Sequence, residues 1–164
     1  MENKLGIYNS NTLHEAQRKI IKTKLSVLDE TFTFNLREFD FEYLVRMHKY
    51  LFCDFYSFKF DSALDFPKDI YEDMEEIMKS IRLLCIYSPE DKNTLIELLY
   101  QLWEMQAFTD GNTRTILGFF KVLNHAFNLG FNIDVTREMP LNFMDFENRM
   151  CIVNETKKNT LQLK

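Results

Sequence analysis

The chain has 164 residues, of which 46% are hydrophobic and 27% charged. That is the profile of one folded domain able to bury a core, and it excludes disordered, low-complexity and collagen-like classes. The 20 basic against 25 acidic residues leave a net charge of −5, which removes the phosphate attraction that DNA and RNA binding relies on, so nucleic acid is not expected as a partner.

Only 4 Gly and 3 Pro punctuate the sequence, too few for a fold of many short strands, and an all-α domain is expected. The Met1–Ile7 start has no apolar run, and no window approaches the ~18 apolar residues of a membrane span. A soluble, unprocessed protein with no membrane partner is the expectation. Cys53, Cys85 and Cys151 are odd in number and widely spaced among apolar residues, which predicts reduced core thiols in a cytoplasmic protein. No linker or repeat divides the chain, so residues 1–155 read as a single domain and 156–164 as a polar C-terminal tail.

In chain order, Asn11 or Thr12 can cap a first helix running to about Glu30, with Leu13, Ala16, Ile20 and Leu28 on its inner face. Thr31–Leu36 alternates and reads as a short extended piece. Asp40 caps a second helix that carries Leu44, Met47, His48 and Leu51 on one side, and His48 there reads as a hydrogen-bonded core histidine. Phe52–Phe66 is the one long irregular segment, ending at Pro67, where a helix can start. That third helix turns Ile70, Ile77, Ile81 and Leu84 inward and the Glu72, Asp73, Glu75, Glu76 run outward. Ser88-Pro89-Glu90-Asp91 reads as a capping start for a fourth helix with Leu95, Leu98, Leu99, Leu102 and Met105, to about Gln106. A fifth runs from about Arg114 to Leu129, where Gly130 supplies a left-handed stop. A last helix is expected near Leu141–Val153.

Between two of the most hydrophobic helices lies Ala107-Phe108-Thr109-Asp110-Gly111-Asn112-Thr113-Arg114-Thr115, a polar loop that feeds a helix start. The free N–H groups there suit an anion, and Gly111 lets the backbone turn with positive φ and approach a phosphate. Arg114 can add a bidentate contact, and Asp110 offers a carboxylate oxygen to a Mg²⁺ that bridges phosphates. The same residues also fit an ordinary interhelical turn with an Asp-Gly corner and an Asn cap.

Gln106-Ala107-Phe108-Thr109-Asp110-Gly111-Asn112-Thr113-Arg114 resembles, without a gap, the Fic-family signature His-Pro-Phe-x-Asp/Glu-Gly-Asn-Gly/Lys-Arg. Asn3-Lys4-Leu5-Gly6-Ile7 is similar to a common Fic opening. Met47-His48-Lys49-Tyr50-Leu51-Phe52-Cys53-Asp54-Phe55-Tyr56 is similar to the family's Ile-His-x-x-Leu-Phe-x-Asp-Ile-Tyr helix, and Gly130-Phe131-Asn132-Ile133-Asp134 to the stretch after the motif helix. The resemblance implies the all-α Fic fold, a bundle of about six to eight helices with a short irregular flap segment. It also implies transfer of AMP from ATP to a protein hydroxyl, with ATP and Mg²⁺ as cofactors. Nucleotide would be bound at Gly111, Asn112, Thr113 and Arg114, and the metal at Asp110.

The chain departs from that pattern where chemistry is done. Gln106 stands where the family carries its His general base, and an amide cannot take up a proton, so ~10²- to 10⁴-fold of acid–base assistance is expected to be missing. Thr113 replaces a Gly or Lys. Leu117 stands where adenylylating members hold a second Arg, and an aliphatic side chain cannot hold a γ-phosphate. After Tyr56 the Arg-containing target-docking hairpin of the family is reduced to Ser57–Leu64. An impaired Fic-type protein that keeps its nucleotide loop is therefore expected. The alternatives are a slow Fic/Doc-type adenylyltransferase or kinase and a non-enzymatic interaction domain, with a protein target or a small antitoxin-like protein as possible partners.

Overall fold

The computed structural model describes residues 3–28, 39–131 and 133. The described residues form five α-helices and one 3₁₀ turn, with no strand among them. The helices are α1 (Ser10–Ser26), α2 (Phe41–Phe52), α3 (Lys68–Tyr87), α4 (Lys92–Glu104) and α5 (Asn112–Phe127), and the 3₁₀ turn is Ala63–Asp65. The extended piece expected at Thr31–Leu36, the helix expected at Leu141–Val153, Cys151 and the 156–164 tail lie outside the described residues. No described helix is long and apolar enough to cross a membrane.

Helix α2 is the hub. Eight of its twelve residues are buried, and it touches α1, α3 and α5, which is why its apolar residues are not confined to one stripe. Helix α5 is similarly enclosed, buried at every position from Thr115 to Phe120. Close approach is possible because Gly118 faces α1 and α2, where an added Cβ would meet Leu25 Cδ2 and Met47 Sδ at 3.1 Å. Lys121 of α5 then donates to the Leu25 carbonyl at 2.8 Å, satisfying one of the last acceptors of α1. Helices α3 and α4 turn back on one another through residues 88–91 and pack together.

Several boundaries and faces differ from expectation, each for a local reason. Asn9, not Asn11 or Thr12, caps α1 by accepting from Thr12 N at 3.1 Å, and α1 ends at Ser26, short of Glu30. Its fully buried face is Gln17, Ile21 and Leu25, rotated from the expected stripe, of which Leu13 and Ile20 pack half-buried against the core while Leu28, just past the helix, is buried as expected. Gln17 can be buried because its amide donates to Tyr56 Oη at 2.7 Å. Asp40 does cap α2, accepting from Tyr43 N at 3.0 Å. Pro67 precedes α3 in extended conformation, which is the backbone its ring favours outside a helix.

Ser88 closes α3, and Asp91 N donates back to the Ser88 carbonyl, so the Ser88-Pro89 pair forms the turn and Asp91 caps α4 through Thr94 N. Helix α4 stops at Glu104, two residues before Gln106. Helix α5 starts at Asn112 and ends with Asn128 in the left-handed region at φ 49°, ahead of Gly130. The acidic run of α3 is not wholly a solvated face, because Glu75 Oε1 accepts from Phe41 N at 2.9 Å and so serves the start of α2. Cys85 is buried, and burial pushes its thiol up to about 12, whereas Cys53 is exposed and is not the core thiol expected.

Candidate functional site

The loop between α4 and α5 is fastened almost entirely by its own side chains. Gln106 takes a left-handed backbone at φ 45°, unusual for a residue with a Cβ, and its amide is used on both sides. Gln106 Nε2 donates to the Trp103 carbonyl at 2.8 Å, and its Oε1 accepts from Asn112 Nδ2 at 3.2 Å. Asn112 also donates to the Phe108 carbonyl at 2.7 Å and accepts from Phe108 N at 3.0 Å, so its side chain pins the loop across four residues. Trp103 Nε1 donates to Thr113 Oγ1 at 2.9 Å, which draws the β-branched side chain of Thr113 toward α4. Phe108 is buried against His48, Phe60 and Phe66 and anchors the turn in the core.

Gly111 takes φ +78° immediately before α5, the conformation expected of it, and Phe52 lies under it so closely that a Cβ would stand 2.2 Å from Phe52 Cζ. Gly111 N donates to Asp110 Oδ1 at 2.7 Å. Among the described residues, the N–H groups of Asn112, Thr113 and Arg114 donate to no protein acceptor, and they sit at the positive end of the helix dipole.

Arg114 is half-buried, and its guanidinium makes no hydrogen bond or ion pair among the described residues. Burial pulls its pKa below the ordinary value, Arg18 adds to that pull, and Asp110 and Tyr56 oppose it. It remains a cation throughout. Arg18 of α1 is thus near enough to the loop for its charge to act on Arg114. Nothing local in the sequence marks Arg18, because the residue its charge acts on lies far along the chain.

The structure therefore brings Asp110, Gly111, Asn112, Thr113 and Arg114 together at one helix start and places Gln106 beside Asn112. Leu117 lies away from solvent, 6% exposed within the hydrophobic core. Among the described residues no three His, Cys, Asp or Glu side chains converge on one point. Asp110 is exposed with one carboxylate oxygen not engaged by Gly111, which fits a Mg²⁺ held by a single carboxylate together with phosphate oxygens and water, not one held by the protein alone. The segment after α2 contains no hairpin. Residues 53–62 run without regular structure into the Ala63–Asp65 turn, tied to α2 by Glu42 accepting from Ala63 N at 2.6 Å. No family model matches the chain, and no curated protein sequence matches it.

Proposed function

We propose that this chain is a Fic-type domain that binds the phosphates of a nucleotide at the start of α5 and is impaired in group transfer. The observation that carries this reading is the set of three N–H groups at Asn112, Thr113 and Arg114 that meet no acceptor among the described residues, behind a left-handed Gly111 and beside the half-buried Arg114 guanidinium, which makes no hydrogen bond or ion pair among them. An anion there would complete the donors of the helix start and the charge of Arg114 together. When bound with nucleotide, Mg²⁺ would neutralise phosphate charge, with Asp110 as its one protein ligand. Gln106 supports the impaired reading twice over: an amide accepts no proton, and both ends of this one are already committed to the loop.

Calorimetry with ADP and ATP in the presence of Mg²⁺ tests the reading. Weak binding is expected, about equal for the two nucleotides, because Leu117 is an aliphatic residue buried in the core and offers the terminal phosphate nothing. Arg114→Ala removes a charge-assisted contact worth ~1.5–3 kcal/mol, roughly ten- to a hundredfold in affinity. Binding that is unchanged in Arg114→Ala places the ligand elsewhere, and a marked preference for ATP means that another group contacts the terminal phosphate.

A second reading, a non-enzymatic interaction domain, is favoured by the groove between α3 and α4. There Asp73, Glu76 and Glu104 stand around Ile77, Leu98 and Met105. The absence of nucleotide binding by calorimetry would favour it.

A further inference from the structure

His48 lies under the loop without being part of it. It projects from the central helix α2, is 6% exposed, and its ring stacks on Phe108 with centroids 4.0 Å apart and planes 3° apart. Phe52, Phe58 and Phe60 close around it at 4.8, 5.7 and 6.1 Å. Its Nδ1 is 3.0 Å from Thr115 Oγ1, and Thr115 Oγ1 is 2.8 Å from the Gly111 carbonyl.

A hydroxyl has one proton, and a carbonyl oxygen has none. The Gly111 carbonyl also accepts from Thr115 N at 3.0 Å; for both side-chain contacts to be hydrogen bonds as well, Thr115 Oγ1 donates to that carbonyl and the proton between Nδ1 and Oγ1 belongs to histidine. Gly111 is the residue whose left-handed turn sets the start of α5, and Phe108 is the anchor at the other end of the loop. A single ring thus reaches both ends, one by stacking and one through a hydroxyl.

We propose that His48 is the positioning residue of the α4–α5 loop, held as the neutral Nδ1–H tautomer that donates to Thr115 and thereby fixes the carbonyl of Gly111 while its face fixes Phe108. Burial among four phenylalanine rings favours the neutral form. What the loop is held ready for rests on the phosphate-binding reading above. That the loop is held by His48 does not, and the two are tested by different measurements.

Long-range ¹⁵N–¹H spectra of the full chain distinguish a protonated Nδ1 from a protonated Nε2. The Nδ1–H form is expected at neutral pH, and a protonated Nε2 overturns the proposal. Amide exchange supplies a second readout that needs no ligand. His48→Phe keeps a stacking ring and loses the donor, and is expected to speed exchange of the hydrogen-bonded amides of the loop, those of Phe108, Gly111 and Thr115, roughly three- to tenfold relative to those of α3. His48→Asn places an amide donor near the Nδ1 position and is expected to restore part of the protection. Thr115→Val, which removes only the hydroxyl, should match His48→Phe, and Thr115→Ser should match the parent.

Equal exchange across the set, or uniform loss over all helices in His48→Phe without rescue by His48→Asn, overturns the positioning role. If the nucleotide site is also correct, His48→Phe lowers ADP affinity by a similar factor. If no nucleotide binds, the tautomer and exchange results stand on their own.

Discussion

Gly111 is the residue with least freedom to change. Its φ of +78° would strain any side chain, and Phe52 fills the space a Cβ would enter, with Cζ at 2.2 Å and Cε2 at 2.4 Å. The two penalties are separate: ~1–2 kcal/mol for a left-handed non-glycine residue and ~1–3 kcal/mol for forcing an aromatic ring out of a packed position. Gly111→Ala is expected to lower the unfolding free energy by about 2–5 kcal/mol in urea denaturation. A loss below ~1 kcal/mol would mean that Phe52 and the loop shift together at little cost. The Asp110-Gly111 corner and the helix start after it were readable from residue chemistry, because a turn glycine before a helix has few other uses. Gln106 and Asn112 were not. The resemblance marks Gln106 only as the position that a general base would hold in a Fic-type protein, whereas its structural part as a fastener depends on Trp103 and Asn112 arriving at the same place.

At the scale of the helices, apolar spacing was enough to locate all five described α-helices, since a stripe of Leu, Ile and Met every three to four residues has one helical explanation. Ends and faces were harder, because they are decided by partners distant in sequence. The start of α2 shows this. Asp40 is a local cap and legible as one, but the preceding donor, Phe41 N, is met by Glu75 of α3, thirty-four residues away. Glu75 sits in an acidic run that a periodicity argument turns outward, and only the packing of α3 on α2 gives its carboxylate a second role. A part-buried hydrogen bond to a charged acceptor is worth ~1.5–3 kcal/mol. Glu75→Ala is accordingly expected to destabilise the protein by about that amount, and Glu75→Gln, which keeps an acceptor but not the charge, by roughly half as much. Equal stability of the alanine variant and the parent would show that solvent replaces the carboxylate.

For the molecule as a whole, acid sets two effects against each other. The net charge of −5 falls toward zero as the pH approaches the isoelectric point near 5.3, which relieves self-repulsion and by itself would favour the compact state. Surface charges more than ~10 Å apart are already screened at 0.1 M salt, so this relief is small. His48 acts in the opposite direction. Burial pushes its pKa down to about 4 from 6.5, so between those values the unfolded chain binds a proton that the folded chain refuses. Stability is then complete above pH 6.5 and drains away as the pH falls through the window to 4, by ~3 kcal/mol in all at 1.36 kcal/mol per pH unit. Asp65 adds to the same trend at its lower end, because backbone N–H groups of Ser62 and Asp61 hold its carboxylate below the usual range. The histidine contribution outweighs the screened surface term, and urea denaturation between pH 7 and 4.5 in 0.1 M salt should show stability falling steadily, not peaking near the isoelectric point. His48→Asn, which carries no titrating group, should flatten most of that slope while leaving the part below pH 4.5 that belongs to carboxylates. A slope of the same size in the variant would place the titrating group elsewhere in the chain.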